Sequence, residues 1–175
     1  MKVAILGKTG SRKEAPFDDP SWTIWGVGTA YGRISLVTGE TVPVGRWDAW
    51  FEVHALNPRT SRQHWAWLSR HDKPVYTLGT AWFPSAVELP HRLLIERFGA
   101  YFMRNSVCWA MAYALHLGAK EIGLWGVDQR SPQEYVQEGH GVQHFIHLAR
   151  ALGVPVRLPD GCALLAAPAP YPLSS

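Results

Sequence analysis

The sequence is short of most features that announce a function directly. Cysteine occurs only twice in 175 residues, at Cys108 and Cys162. Neither belongs to a CxxC or Cys/His spacing, which excludes the common zinc frameworks and a redox motif. Two isolated thiols, one of them inside an apolar run, read as buried side chains in a reducing compartment rather than as a disulfide. Charged residues make up only 18% of the chain, and the formal net charge is +3. No run of five Lys and Arg occurs, so a dedicated nucleic-acid surface is not expected, while a mild positive bias suits an anionic small ligand. No apolar stretch approaches the roughly 20 residues that span a bilayer, and no signal-peptide pattern precedes the first strand. No membrane partner and a cytoplasmic location are therefore expected.

What the chain has in quantity is apolar and aromatic surface. Hydrophobic residues account for 47%, and Trp occurs nine times. The length fits one domain with one sizeable core. A domain of that size is expected to bury only a few indoles fully, so several Trp are expected to be partly exposed or to line a cleft.

Short apolar runs bounded by turn residues read as buried strands at 2–6 (KVAIL), 22–28 (WTIWGVG), 48–54 (DAWFEVH), 75–78 (VYTL), 121–127 (EIGLWGV) and in the VPVRL segment near the C-terminal end. Helical patterns cover 60–70, 91–98, 106–117 and 142–152. Residues 80–90, with two prolines and little periodicity, read as loop. Apolar strands alternating with helices predict an α/β fold with a mostly parallel sheet of about six strands. Ligands of such sheets bind beyond the carboxyl ends of the strands. That rule selects the loop 7–19 and the segments 28–31, 54–58, 104–106 and 126–135.

The first loop, GKTGSR, is neither a P-loop nor a dinucleotide fingerprint. Only two residues separate Gly7 from Gly10, no Lys-Ser or Lys-Thr pair follows, and GxGxxG is missing. It still offers two glycines, the hydroxyls of Thr9 and Ser11, and the cations Lys8, Arg12 and Lys13. Such a loop can present backbone N–H groups and positive charge to a phosphate, or it can be a solvated turn. Asp18 and Asp19 precede Pro20 and read as turn chemistry before a metal pair.

Asp128 follows an interior strand, where a carboxylate suits a ligand hydroxyl or a proton as well as the cap of a turn. Gly126 would allow close backbone approach, and Glu134 and Tyr135 lie just beyond. His54 ends the third strand. His140, His144 and His147 have helical spacing, but HxxxH alone is a weak metal signal, and they read first as rim residues of an amphipathic helix. No divalent metal is indicated. If a general base is needed, His54, His140 and Asp128 are the candidates.

The stretches APFDDPSW (15–22), IWGVGTAY (24–31), WFEVH (50–54), RNSVCWAMAYAL (104–115) and GAKEIGLWGVD (118–128) resemble a group of tailed-bacteriophage proteins along nearly the whole chain. The order of motifs is also similar to the Rossmann-like domain of bacterial CMP-sialic-acid-dependent sialyltransferases and of archaeal 6-hydroxymethylpterin diphosphokinases. The resemblance implies a three-layer Rossmann-like domain over 1–166, a flexible tail at 167–175, and a nucleotide or nucleotide-sugar site. Matched by motif, that site comprises Gly7 to Ser11, Gly28, Asn57-Pro58, Asn105-Ser106 and Gly126-Val127-Asp128. The chain departs from the sialyltransferase pattern in having Gly28 in place of an Asn and Gly10 in place of a Pro, and it lacks the lid region. The sialyltransferases' catalytic His lies in an insert before the last helix and is not matched to His140. The function implied is a nucleotide-dependent glycosyl- or phosphoryl-transferase of phage origin. In that reading Lys8, Ser11 and Arg12 meet phosphate, Asn105 and Ser106 meet base or sugar, and Asp128 takes a hydroxyl. The alternative is a non-catalytic phage module that holds a nucleotide signal, or a host protein through exposed Trp.

Overall fold

The computed structural model describes residues 1–30, 45–54, 62–79, 83–127 and 136–165. Seven strands form one all-parallel sheet: β1 (Lys2–Leu6), β2 (Trp22–Val27), β3 (Ala49–Phe51), β4 (Val75–Thr77), β5 (Ala86–Glu88), β6 (Glu121–Trp125) and β7 (Val156–Arg157), in the order β5-β4-β3-β2-β1-β6-β7. The helices are α1 (Arg62–Leu68), α2 (His91–Phe98), α3 (Ser106–His116) and α4 (Val136–Ala151), with 3-10 turns at Gly10–Glu14 and Ala163–Leu165. The architecture is the expected Rossmann-like α/β fold, with a seventh strand. That strand is β5, in the stretch expected to be loop. Pro84 and Pro90 flank it rather than interrupt it, and three edge residues are too few to show a period of two.

Side chains along the central strands alternate between two cores, as pleating requires. Val3, Ile5, Trp25, Val27 and Phe51 face a core shared with α2, α3 and α4. Ala4, Leu6, Trp22, Ile24, Trp50 and Trp125 face a second core that includes Leu68 of α1 and Phe83. Helix α3 buries nine of its eleven residues, which explains why its sequence is apolar on nearly every side. Helix α4 begins earlier than its pattern suggested, because Gly139 and Gly141 interrupt the apolar spacing of its first turns. Gly141 is needed there: a Cβ would stand 2.7 Å from the Phe102 carbonyl oxygen and 2.9 Å from Cys108 Sγ.

Among the described residues Trp50 is the one indole below 2% exposed, in keeping with the expectation that few are fully buried. Trp22, Trp25, Trp47, Trp50, Trp109 and Trp125 are all buried, and Trp65 and Trp67 are half-buried. Two glycines make room. A Cβ on Gly26 would lie 2.0 Å from the Trp50 ring, and one on Gly123 would lie 2.2 Å from the Trp125 ring. The second face of the sheet thereby becomes an indole layer, with Trp50 against Trp67 at 4.6 Å and Trp22 edge-on to Trp125 at 5.5 Å between centroids. Cys108 is buried and Cys162 half-buried. No described helix is long and apolar enough to cross a membrane.

The topology positions the site. From β1 the chain moves outward through β2, β3, β4 and β5, then returns through α2 and α3 to β6 on the other side of β1. The order therefore reverses between β1 and β6, and the crevice beyond the carboxyl ends of these two strands is where ligands of open parallel sheets bind.

Candidate functional site

At the reversal the two chain segments are interlocked through backbone. Gly7 N–H donates to the Trp125 carbonyl at 2.8 Å, and Thr9 N–H donates to the Gly126 carbonyl at 3.0 Å. Gly126 N–H in turn donates to Ser11 Oγ at 2.8 Å. Neither glycine tolerates a side chain: a Cβ on Gly7 would stand 2.1 Å from the Gly126 carbonyl oxygen, and Gly126 has φ +72°. The sequence marked Gly126 as a point of close approach, and the approach is of one strand end to the other.

That interlock fixes which loop residues face outward. Lys8, Thr9 and Gly10 are exposed. Ser11 ties the loop to β6. Arg12 is 3% exposed, and burial pushes its guanidinium below its ordinary pKa. It sits inside the loop rather than on its outer surface. An open cleft of about 340 Å³ lies along the loop, lined by Thr9, Gly10, Ser11 and Lys13 and by Asp160 and Cys162 beyond β7. Asp19 accepts from Ser21 N–H at 2.9 Å, the local turn contact expected of an Asp ahead of Pro.

Gly28 follows β2 on the same edge of the sheet. It is left-handed, with φ +52°, and a Cβ there would meet nothing within 4 Å. Its carbonyl accepts from Trp50 Nε1 at 2.8 Å, which fixes the peptide to β3. Gly is the residue of choice at this φ and Asn the next most tolerant. Asn is therefore the side chain that this backbone shape would tolerate best.

Helix α3 leads through a tight turn to the start of β6, so its first residue lies at the opposite, carboxyl edge. Asn105 caps it, its side-chain oxygen accepting from Cys108 N–H at 3.0 Å. Ser106 opens the helix. It is 5% exposed, and its Oγ has no hydrogen-bond partner among the described residues. A buried hydroxyl left without a partner costs about 1–3 kcal/mol.

The end of β3 holds a group that the sequence only half disclosed. Glu52 is 2% exposed. One carboxylate oxygen accepts from both His54 N–H, at 3.0 Å, and His54 Nδ1, at 2.7 Å. The other pairs with Nε2 of His64, on α1. Burial pushes the Glu52 pKa up, but hydrogen bonds from His54 and His64 outweigh it and hold the carboxyl at about 2. Sequence reading found His54 and missed its partners. Glu52 did carry a signal: an acid inside WFEV, two residues before His54 and hence on the same side of an extended chain. His64 carried none, because its meeting with Glu52 is made by the packing of α1.

On α4, His140 is exposed, whereas the His144 ring stacks on Phe102 at 3.8 Å with planes 9° apart. Burial and the neighbouring His147 lower the His144 pKa. No group of three or more His, Cys, Asp or Glu suited to a metal occurs among the described residues. Asn57, Pro58, Asp128, Glu134, Tyr135 and the 167–175 tail lie outside the described residues.

No family model matches the chain, and no curated protein matches it. Solved structures do. The Campylobacter jejuni sialyltransferase CstII with cytidine-5'-monophosphate (CMP) is similar with a TM-score of 0.57 at 18% identity, over 91% of this chain and 80% of that one. The same enzyme with CMP-3FNeuAc gives a TM-score of 0.54 at 17% identity, over 93% and 80%. A complex of CST-II with a trisaccharide acceptor and CMP gives 0.56 at 17% identity, over 93% and 82%. At these identities the likeness establishes the shared fold.

Proposed function

We propose that this chain is a nucleotide-sugar-binding domain of a glycosyltransferase, with a CMP-type donor held at the β1/β6 crevice. The observation that carries the reading is the Ser106 hydroxyl, buried without a partner among the described residues at the start of α3 on the ligand-binding edge of the sheet. A hydroxyl in that state is satisfied when a ligand supplies the missing hydrogen bond. The fold shared with CMP-bound sialyltransferases supports the choice of nucleotide. Lys8 and Gly10 face outward to meet phosphate, while the Thr9 backbone, Ser11 and Arg12 hold the loop in shape. Asp128, which the motif order places just beyond Gly126, would take a ligand hydroxyl. A phosphoryl transfer would use the same phosphate contacts. The resemblance to tailed-phage proteins supports an acceptor that is a nucleotide, DNA or a surface glycan.

Isothermal calorimetry and thermal-shift titration with CMP, CMP-sialic acid and a panel of UDP- and GDP-sugars test this. Saturable binding with CMP compounds preferred is the expected result, and no binding at millimolar ligand would sink it. The bare backbone at Gly28 favours a second reading, a module that holds the nucleotide without turnover. Donor retained intact by the purified protein would select it.

A further inference from the structure

Resting on the donor site just proposed, we infer that the cleft along the first loop is the base pocket of that site and that Asp160 is the residue that selects cytosine. The cleft of about 340 Å³ has two walls from distant parts of the chain. Gly10, Ser11, Lys13 and Glu14 form one, and Asp160 and Cys162, beyond β7, form the other. Lys13, Glu14 and Asp160 are exposed, and no ion pair among the described residues involves any of them. A cation and two carboxylates thus line one cleft without neutralising each other, which leaves both signs of charge to a polar ligand between the walls. Glu14 adjoins Lys13 on the same turn, whereas Asp160 is the one charge on the facing wall.

The position suits a base. β1, β6 and β7 are successive strands, so the carboxyl end of β7 lies about 10 Å from that of β1. Helix α3 packs on β1, β2 and β3, which puts Ser106 on the far side of β1 from the cleft. A nucleoside monophosphate with its base in the cleft therefore has its ribose and phosphate between Lys8, Gly10 and the start of α3. Cytosine presents an exocyclic amine beside two acceptors, N3 and O2. A carboxylate accepts from that amine, the pairing Asp and Glu make with this base. The Lys13 ammonium has only donors and meets O2 from the opposite wall. Uracil carries a carbonyl where cytosine carries the amine. Asp160 would then face an acceptor with no proton between them, and both groups would give up water without a replacement. Adenine keeps the amine but has no O2 for Lys13.

Calorimetry on the full chain with CMP, UMP and AMP tests the assignment. The wild type should bind CMP at least about tenfold more tightly than UMP or AMP, a discrimination within the reach of well-placed base contacts. In Asp160→Asn the CMP/UMP ratio should fall to within about twofold, because an amide can turn its carbonyl to an amine or its N–H group to a carbonyl. Lys13→Met should weaken both pyrimidines and leave their ratio unchanged, since both carry O2. Glu14→Gln should leave the ratio unchanged as well. Asp160 lies in an exposed turn, so its variant should keep the wild-type Tm. Amide resonances of Gly161 and Cys162 in the wild type should shift as CMP is added, a readout that needs no variant. Equal affinity for CMP and UMP, a ratio unchanged in Asp160→Asn, a ratio lost in Glu14→Gln instead, or no shift at Gly161 and Cys162 at saturation would overturn the assignment and leave nucleotide binding at the crevice standing. Absence of binding of any of the three nucleotides by the wild type would instead remove the donor reading and this inference with it.

Discussion

Trp50 and Gly26 are register partners on adjacent strands, and the Trp50 ring occupies the space that any side chain on Gly26 would need. Trp50 is fully buried and its Nε1 is tied to the Gly28 carbonyl, so the ring cannot swing aside without losing that bond. Gly26→Ala is therefore an overpacking substitution at the upper end of the usual 1–3 kcal/mol. A loss of about 3 kcal/mol, roughly 10 °C in Tm for a chain of this length, is the expected result of thermal unfolding. Gly10→Ala is the control. A Cβ at Gly10 meets nothing within 4 Å, so stability should change by less than about 0.5 kcal/mol.

The same pair shows where the sequence was legible and where it was not. The strands were readable because β1, β2 and β6 are buried on both faces and written as continuous apolar runs. The indole layer was not, because the glycines that admit it lie 24 residues from their Trp in one case and two in the other, and composition carries no information about which face a Trp uses. The strand-end positions of Gly7, Gly28 and Gly126 and the helix-start positions of Asn105 and Ser106 were legible. The inward turn of Arg12 was not, since a cation in a polar loop reads as exposed. The Glu52–His64 contact depends on the docking of α1 against β3, which no local pattern encodes.

Gly28 allows a test of backbone shape against side-chain chemistry. Its φ of +52° is one that Asn adopts readily and β-branched residues do not. Gly28→Asn should cost less than about 1 kcal/mol, whereas Gly28→Val should cost about 2 kcal/mol. Denaturant unfolding of the two variants checks the order. If the bare backbone is what admits the sugar, Gly28→Val should also weaken CMP-sialic acid more than it weakens CMP.

The Glu52 carboxyl, held at about 2 against an ordinary 4.5, makes part of the stability depend on pH. A depressed carboxyl pKa contributes stability that is complete above the unfolded value of 4.5 and is lost as pH falls toward 2. Urea unfolding between pH 6 and pH 2 should therefore show a decline beginning near 4.5. In Glu52→Gln that component of the decline should be missing, and the variant should already be about 3 kcal/mol less stable at neutral pH, the usual result of removing one partner of a buried pair.

Ser106 offers the sharpest separation of fold from function. Its hydroxyl is desolvated and has no partner among the described residues, so the folded chain bears a cost that Ala would not. Ser106→Ala keeps the helix start, because the cap is made by Asn105. The variant should be more stable than the wild type by about 1 kcal/mol without ligand. It should bind CMP about tenfold more weakly, the loss expected when a ligand's hydrogen bond to a buried hydroxyl is removed. Thermal unfolding with and without CMP reads both quantities on one sample. A variant that gains stability and keeps full affinity would show that the ligand does not reach the start of α3, and the donor would then have to be placed by Lys8 and Gly10 alone.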